Sequence, residues 1–306
     1  MSLITILGPT AVGKTKLAVQ LAHHLNGEII SADSRQVYKG MDIGTGKDLK
    51  DYTLNGENIP YHLIDNKEAG EHYHLFDFQQ DFYSAYQIIT AREKVPILCG
   101  GTGLYLEAAM AKEQMQQVPS NKKLRQNLAS NSLEELTKLL IQLNLKQHNT
   151  SDQTDRERCI RAIEIEKFKQ TNPVKASSPI DEYIIFGVKM ERSALRARID
   201  ERLIERLKSG MIEEVEQLLN SGLTAEELDY YGLEYRFIAK YLSKEMNYDE
   251  MYEKLLQAIR RFAKKQMTWY RRMEKNGAQI HWMDANLSSA DKLKFVLNHL
   301  SLEETT

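Results

Sequence analysis

Residues 8–15 read GPTAVGKT, and they indicate the fold class more specifically than any other segment. It matches G-x-x-x-x-G-K-[ST] at every fixed position and lies between an apolar run at residues 3–7 and a helical pattern at residues 14–25. Glycines let backbone N–H groups turn toward an anion, and the following helix adds the positive end of its dipole. The stretch therefore predicts a loop that binds a di- or triphosphate, formed by Gly8, Pro9, Thr10, Ala11, Val12, Gly13, Lys14 and Thr15.

Two side chains of this loop have an expected chemical role. Lys14 should reach the terminal phosphates, and the hydroxyl of Thr15 should ligate Mg²⁺. The motif leaves open which phosphate compound binds, and whether phosphorus or carbon is attacked.

Strands and helices alternate around the loop. Short runs of the strand type follow at residues 28–31, 95–99 and 183–190, and helical spacing is found at residues 75–92, 155–168 and 193–272. Such alternation favours a parallel sheet covered by helices on both faces. We therefore expect an α/β fold with a P-loop NTPase-like parallel sheet core, a helical insertion and a helical C-terminal portion.

The composition changes after Met110. Residues 112–153 are rich in Gln, Asn, Lys and Ser and contain two helical stretches. We expect the first part of the core at residues 1–112, a helical insertion at residues 113–153, and the rest of the core with C-terminal helices at residues 154–306.

Composition excludes several classes of protein. The chain has 306 residues, a net charge of −2 and 42% hydrophobic residues, so it is neither disordered nor globally basic. Cys99 and Cys159 form no C-x-x-C pair, which argues against a zinc finger or a disulfide framework. No apolar run approaches the length of a membrane span. We expect a cytoplasmic protein with no membrane attachment that acts as a monomer.

Two further polar residues follow predicted strands. Asp33 comes after the second strand, at the sheet edge where doubly wound folds bind ligands, although aspartate at such a position also serves in turns and helix caps. Thr102 follows the strand that ends at Gly100, and its spacing alone favours a helix cap over a role in chemistry.

Taken together, five motifs resemble the tRNA dimethylallyltransferase family. They are GPTAVGKT, DSRQVYKGMDIGT at residues 33–45, YHLID at residues 61–65, GGTGLY at residues 100–105 and AKKQMTWYRR at residues 263–272. The resemblance extends from Gly8 to about Trp282, and DSRQVYKGMDIGT is its most specific part. The phosphate loop alone is shared with many kinases.

The resemblance implies transfer of a dimethylallyl group from dimethylallyl diphosphate to N6 of an adenosine at position 37 of tRNA, next to the anticodon. Asp33 would be the general base and Thr102 would hydrogen-bond at the same centre, while Lys14, Arg202 and Mg²⁺ on Thr15 would stabilise the departing diphosphate. By pattern alone, Arg202 belongs to a charged helix face that is more often only solvated.

The target base must leave the anticodon stack, so the resemblance also implies an RNA-binding surface. Residues 260–272 hold six basic residues and no acidic one, interleaved with Phe262, Trp269 and Tyr270. The insertion would bind the anticodon arm. The tRNA-contacting residues implied are Asp33, Ser34, Arg35, Gln36, Thr102, Arg125, Arg158, Arg161, Arg236, Lys264, Lys265, Gln266, Trp269 and Arg271.

The sequence departs from the family pattern at a few positions. Glu234 stands where the family usually has glycine, which places a negative charge beside the expected RNA surface. Val12 replaces a small hydroxyl residue in the phosphate loop, where only its backbone is needed.

Three alternatives stay open at this point. A P-loop kinase for a small metabolite would explain the loop and neither DSRQVYKGMDIGT nor the basic helix. An adenine-nucleotide isopentenyltransferase would need no RNA-binding helices. A non-catalytic RNA-binding module would not need Lys14, Thr15 and Asp33 together.

Overall fold

A computed structural model describes residues 2–143, 153–173 and 177–303. Its main sheet has six strands in the order β5-β2-β6-β1-β7-β8, and every pair in it is parallel. A two-stranded antiparallel hairpin, β3 with β4, stands apart from it. The strands are β1 (Leu3–Leu7), β2 (Gly27–Ala32), β3 (Thr53–Leu54), β4 (Glu57–Asn58), β5 (Tyr61–His62), β6 (Val95–Gly100), β7 (Tyr183–Lys189) and β8 (Ile280–Asp284).

Helices fill most of the remaining chain. They are α1 (Lys14–Leu25), α2 (Leu75–Ala91), α3 (Gly103–Ala109), α4 (Lys122–Leu128), α5 (Leu133–Leu143), α6 (Arg156–Thr171), α7 (Arg192–Lys208), α8 (Met211–Asn220), α9 (Ala225–Tyr231), α10 (Leu233–Leu242), α11 (Tyr248–Lys275) and α12 (Ser289–Glu303), with a short 3₁₀ helix at Leu49–Tyr52. Within the described ranges, no helix combines the length and the apolar character needed to cross a bilayer.

The register of the central strands brings the predicted loops together. Leu7 at the end of β1 pairs with Gly100 at the end of β6, and Gly100 pairs in turn with Ala32 at the end of β2. Three strands therefore end at the same level, so the segments that follow them start side by side. A side chain on Gly100 would collide with the carbonyl oxygen of Ala32, which is why glycine is required there.

The sheet is buried on both faces. Every residue of β1 and of β2 is buried, as expected for parallel strands covered by helices on two sides. The expected α/β fold with a parallel core is confirmed. The long helical stretch predicted at residues 193–272 is divided into α7–α11, and turns at Gly210 and Gly232, both with positive φ, separate two of the helix pairs.

The chain divides into two compact units. One, the sheet unit, comprises Met1–Met110 and Pro179–Thr306, and the other, the helical unit, comprises Ala111–Ser178. The expected insertion boundary at residue 153 differs from this division, because α6 packs through Ile160 and Ile163 against Leu136 and Leu140 of α5. Residues 144–152 of the expected insertion lie outside the described residues.

Candidate functional site

A cavity of about 1230 Å³ opens at the carboxyl edge of the sheet. The phosphate loop, the turn after β2, the segment after β6 and parts of α7, α10 and α11 all contribute to its wall. The residues expected at the site that line it are Thr10, Ala11, Gly13, Lys14, Thr15, Asp33, Ser34, Arg35, Gln36, Thr102, Arg202, Arg236, Lys265, Gln266 and Trp269. Elements from distant parts of the sequence thus form one chamber.

The phosphate loop begins at Gly8, whose α-carbon leaves no room for a side chain against the carbonyl of Val188. Its last residue before α1 is Gly13, with φ of +84°. The Nζ of Lys14 donates to the carbonyl oxygen of Pro9 at 2.8 Å, which folds the lysine back across the loop. Val12 is buried and does not line the cavity, in keeping with a role for its backbone alone.

Lys14 is held in an unusual electrostatic state. Burial lowers the pKa of its ammonium group to about 8, and the charge of Arg202 adds to that lowering, while Asp33 opposes it. Lys14 is half-buried at the cavity wall and has lost part of its hydration, so an anionic ligand would favour its charged form. The position of Lys14 therefore favours a ligand with negative charge.

Arg202 reaches the phosphate loop from α7. Its Nη2 donates to Asp48 Oδ2 at 2.7 Å, and its Nη1 lies 3.4 Å from Thr10 Oγ1. One turn later, Arg206 lies 3.6 Å from the same carboxylate, and burial lowers the pKa of this arginine. Arg202 is thus at the cavity, as the resemblance implied, and not on a solvated outer face. Nothing in the sequence marked Asp48 as its partner.

Asp33 lies in the turn that follows β2. Its Oδ1 accepts a hydrogen bond from the backbone N–H of Arg35 at 2.9 Å, so the turn fixes the carboxylate and leaves Oδ2 for a substrate. Asp33 therefore stabilises the turn, as its sequence position suggested, and it also lines the cavity.

The Thr102 side chain does not cap α3. Thr102 occupies the N-cap position, yet its hydroxyl makes no capping hydrogen bond and accepts instead from the backbone N–H of Ser34 at 3.2 Å. Its own backbone N–H donates to the carbonyl of Ala32. These bonds tie the segment after β6 to the turn that bears Asp33, so the helix-cap interpretation of the side chain is wrong.

Glu214 of α8 anchors the segment at residues 42–47, which forms part of the cavity wall. Its carboxylate accepts from the backbone N–H groups of Asp42, Ile43 and Gly44 at 2.9, 2.7 and 3.0 Å. It also accepts from the Tyr235 hydroxyl at 2.7 Å. No pattern in the sequence indicated this anchor.

A buried lysine fixes the same segment from the other side. Lys47 is 1% exposed, and its Nζ donates to the carbonyl of Tyr38, to Asp42 and to Asp65. Asp65 is the last residue of YHLID, so two of the motifs quoted above meet in one ion cluster. Gln36 belongs to this framework as well, since its amide bridges Gly46 and Ser31.

The basic helix α11 has two different sides. Lys264, Lys265 and Arg271 are exposed, and Phe262 is 44% exposed. Tyr270 is fully buried, and the Trp269 ring packs on Gly103, where a side chain would collide with it. Gln266 is also buried and bonds to two loops of the site, and its implied contact with tRNA stays a prediction.

Four arginines among the other implied tRNA contacts have intramolecular partners. The guanidinium of Arg35 stacks 5.1 Å from the centroid of the Tyr230 ring, and Arg236 pairs with Asp229. In the helical unit, Arg158 is exposed, while Arg125 and Arg161 both bind the buried carboxylate of Glu164.

Glu234, the departure noted in the sequence, lines the cavity near Arg206. Burial raises the pKa of its carboxyl group, while the charges of Arg206 and Arg202 oppose that rise. Its negative charge thus faces two arginines of the sheet unit.

Comparison with known proteins gives a consistent result. A family model described as IPP transferase matches residues 36–273, and one described as isopentenyl transferase matches residues 1–70. The chain is 52% identical to tRNA dimethylallyltransferase 2 of Porphyromonas gingivalis over 297 aligned residues. The alignment covers 96% of this chain and 98% of that protein. It is 50% identical over 299 residues to tRNA dimethylallyltransferase 2 of Bacteroides fragilis, with 97% of each chain covered.

A solved structure is similar over the same length. The full-length tRNA isopentenylpyrophosphate transferase of Bacillus halodurans is 32% identical and has a TM-score of 0.72, with 99% of this chain and 97% of that chain covered. Sequence and fold therefore agree across nearly the whole protein. The chain belongs to the IPP transferase family of tRNA dimethylallyltransferases.

Proposed function

We propose that the protein transfers a dimethylallyl group from dimethylallyl diphosphate to N6 of an adenosine at position 37 of tRNA, next to the anticodon, and releases diphosphate. The single observation that carries this proposal is the cavity that joins the phosphate loop to Asp33 and Thr102. A transfer between two substrates needs the leaving group and the acceptor held in one chamber. Family membership supports the choice of substrates.

The leaving diphosphate gains negative charge as the bond from carbon to oxygen breaks. Lys14, Arg202 and the amides of the phosphate loop would surround the place where that charge develops, and hydrogen bonds already fix the side chains of Lys14 and Arg202. Preorganised donors of this kind stabilise a transition state without further rearrangement. Lys14 in particular gains a charge partner that its burial makes favourable.

Asp33 acts as the general base. The N6 amine of adenosine is a weak nucleophile until its proton has an acceptor, and a carboxylate at the cavity wall provides one. The Thr102 hydroxyl accepts from Ser34 and retains its own hydrogen for the base or the amine. The N6–carbon bond forms, the carbon–oxygen bond to diphosphate breaks, and the proton passes to Asp33.

Mg²⁺ is the proposed cofactor. Thr15 lines the cavity beside Lys14, and the described parts of the chain hold no cluster of three or more His, Cys, Asp or Glu side chains that could bind a metal ion. One hydroxyl suits Mg²⁺, which takes its other ligands from phosphate oxygens and water. When bound, the ion would neutralise charge on the diphosphate.

The partners follow from this chemistry. An adenosine of the anticodon loop must leave its stack to reach Asp33, and the exposed basic residues Lys264, Lys265 and Arg271 of the sheet unit can bind RNA phosphates. Arg158 offers a similar contact in the helical unit. We propose that the protein is a monomer, acts on tRNA in the cytoplasm and is not attached to a membrane.

A choice of acceptors tests the proposal. The protein is incubated with Mg²⁺ and dimethylallyl diphosphate labelled in its carbon chain, with unmodified tRNA, AMP or both present. The proposal predicts label in tRNA and none in AMP, even when both compete. Label in AMP would make the protein an adenine-nucleotide isopentenyltransferase, and phosphate transfer from ATP with no prenyl transfer would make it a kinase.

A further inference from the structure

One buried amide links the two glycine-rich loops of the site. Gln266 of α11 is 7% exposed. Its Oε1 accepts from the backbone N–H of Thr10 in the phosphate loop at 2.9 Å, and its Nε2 donates to the carbonyl oxygen of Gly101 at 2.9 Å. The side chain therefore bridges the segments that follow β1 and β6.

Tyr270 reinforces this bridge from the same face of α11, one turn later. Its hydroxyl lies 3.0 Å from the carbonyl oxygen of Gly8 and 3.2 Å from that of Gly101. A side chain on Gly101 would collide with Nε2 of Gln266, so it would displace the bridging amide. Hydrogen bonds from two side chains of α11 therefore connect this helix to both loops.

The bridge continues to the acceptor side of the cavity. Gly101 precedes Thr102, whose hydroxyl accepts from the backbone N–H of Ser34 in the turn of Asp33. A hydrogen-bonded path thus runs from Thr10 through Gln266 and the Gly101–Thr102 segment to the proposed base.

We propose that Gln266 is a positioning residue, which sets the separation between the diphosphate loop and the loop that carries Thr102. This inference rests on the proposed function, since the two loops hold the leaving group and the acceptor of that transfer. Small displacements of reacting groups lower rates strongly, whereas each substrate still binds its own loop. Loss of the bridge should therefore lower kcat more than it weakens binding of either substrate.

The choice of variant follows from the amide's two roles. In Gln266→Glu, an ionised carboxylate still accepts from Thr10, yet it turns a second lone pair toward the carbonyl of Gly101. A protonated carboxyl group donates there, as the native amide does. The variant should regain activity as the pH falls, whereas Gln266→Met, of similar volume and without polar partners, should not.

The experiment compares both variants with the wild-type protein across pH, with transfer to tRNA and the Kd for tRNA measured separately. For Gln266→Glu we expect a kcat at least about tenfold below the wild-type value at high pH. The ratio of the variant's kcat to the wild-type kcat should rise at least about threefold toward pH 6. Gln266→Met should give a low ratio that does not change with pH. Both variants should bind tRNA within about twofold of the wild-type protein, because the side chain is buried.

A ratio for Gln266→Glu that does not change with pH would overturn the inference, as would weakened tRNA binding with an unchanged kcat. If Gln266→Glu fails to fold, Gln266→Met decides alone: a lowered kcat with unchanged tRNA affinity supports the bridge, and an unchanged kcat refutes it. Absence of any transfer by the wild-type protein would instead count against the proposed function, so the two failures can be told apart.

Discussion

Lys14 shows how burial prepares a single residue for its ligand. Its pKa is lowered to about 8 by burial, so the free protein loses this positive charge as the pH rises through that value. A bound diphosphate raises the pKa again, because the opposite charge favours the ammonium form. Binding should therefore take up a proton near pH 8 and weaken as the pH increases.

This effect can be measured by calorimetry with inorganic pyrophosphate. Between about pH 7 and about pH 9, we expect the affinity of the wild-type protein to fall by up to about tenfold relative to Lys14→Arg, whose charge does not titrate in that range. Ionisation of pyrophosphate itself is common to both proteins and cancels in the comparison. If the affinity for pyrophosphate changed with pH in the same way for both proteins, deprotonation of Lys14 would not weaken binding.

For single residues, the sequence predicted the position in the fold wherever a residue follows a strand, while the roles in the reaction stay predictions. Asp33 and Thr102 could be placed because parallel strands end at one edge of a sheet. The burial of Gln266 could not be predicted, since it depends on contacts with a loop 256 positions away. The ion pair of Arg202 with Asp48 could not be predicted either, because the two residues are 154 positions apart in the sequence.

At the scale of elements, the segment at residues 42–47 depends on α8 for its shape. The two carboxylate oxygens of Glu214 accept hydrogen bonds from four donors. In Glu214→Gln, one oxygen remains as an acceptor and an NH₂ group replaces the other, so it faces N–H or O–H donors. We expect a loss of about 2 kcal/mol in the free energy of unfolding, because partly buried donors lose their acceptor. Transfer activity should fall with it.

Urea unfolding and the transfer assay check this expectation. Glu216→Gln is the matched control, since Glu216 lies on the same helix and is exposed. The two variants carry the same change in charge. Equal stabilities for the two would mean that Glu214 does not anchor the segment.

Most elements of the sheet unit were predictable from periodicity and turn residues, including β1, α1, β6 and α2. Strand β8 was missed, because it is an edge strand that pairs only with β7 and has a mixed burial pattern. The sequence IHWMD lacks the continuous apolar run that marks the central strands. A strand defined by one neighbour leaves a weaker trace in the sequence than one buried between two.

At the scale of the whole molecule, the helical unit has its own core and its own buried charge cluster. Burial would raise the pKa of Glu164, but hydrogen bonds from Arg125, the Asn121 amide and Arg161 lower it to about 2. A lowered carboxyl pKa stabilises the folded state above the ordinary value of 4.5, and this contribution is lost as the pH falls toward about 2. The extent of this unit differs from the expected insertion, because α6 has the pattern of a core helix until its packing partners are known.

Glu164→Gln tests this contribution. At neutral pH we expect the helical unit to lose about 2 kcal/mol of stability, measured by hydrogen exchange in α4 and α6, since charged hydrogen bonds are replaced by weaker ones. The difference from the wild-type protein should shrink below about pH 4.5. Glu134→Gln, an exposed position on α5, is the control and should change little. A difference that stays constant down to about pH 3 would contradict the assignment.

The whole molecule is proposed to act as a catalyst with Asp33 as its base. The most direct test is mass spectrometry of tRNA nucleosides after incubation with Mg²⁺ and dimethylallyl diphosphate, with the wild-type protein and Asp33→Ala in parallel. We predict one added dimethylallyl group on adenosine next to the anticodon, formed at least about 100-fold more slowly by the variant. Equal rates for the two proteins, or an unchanged adenosine with the wild-type protein, would contradict the account.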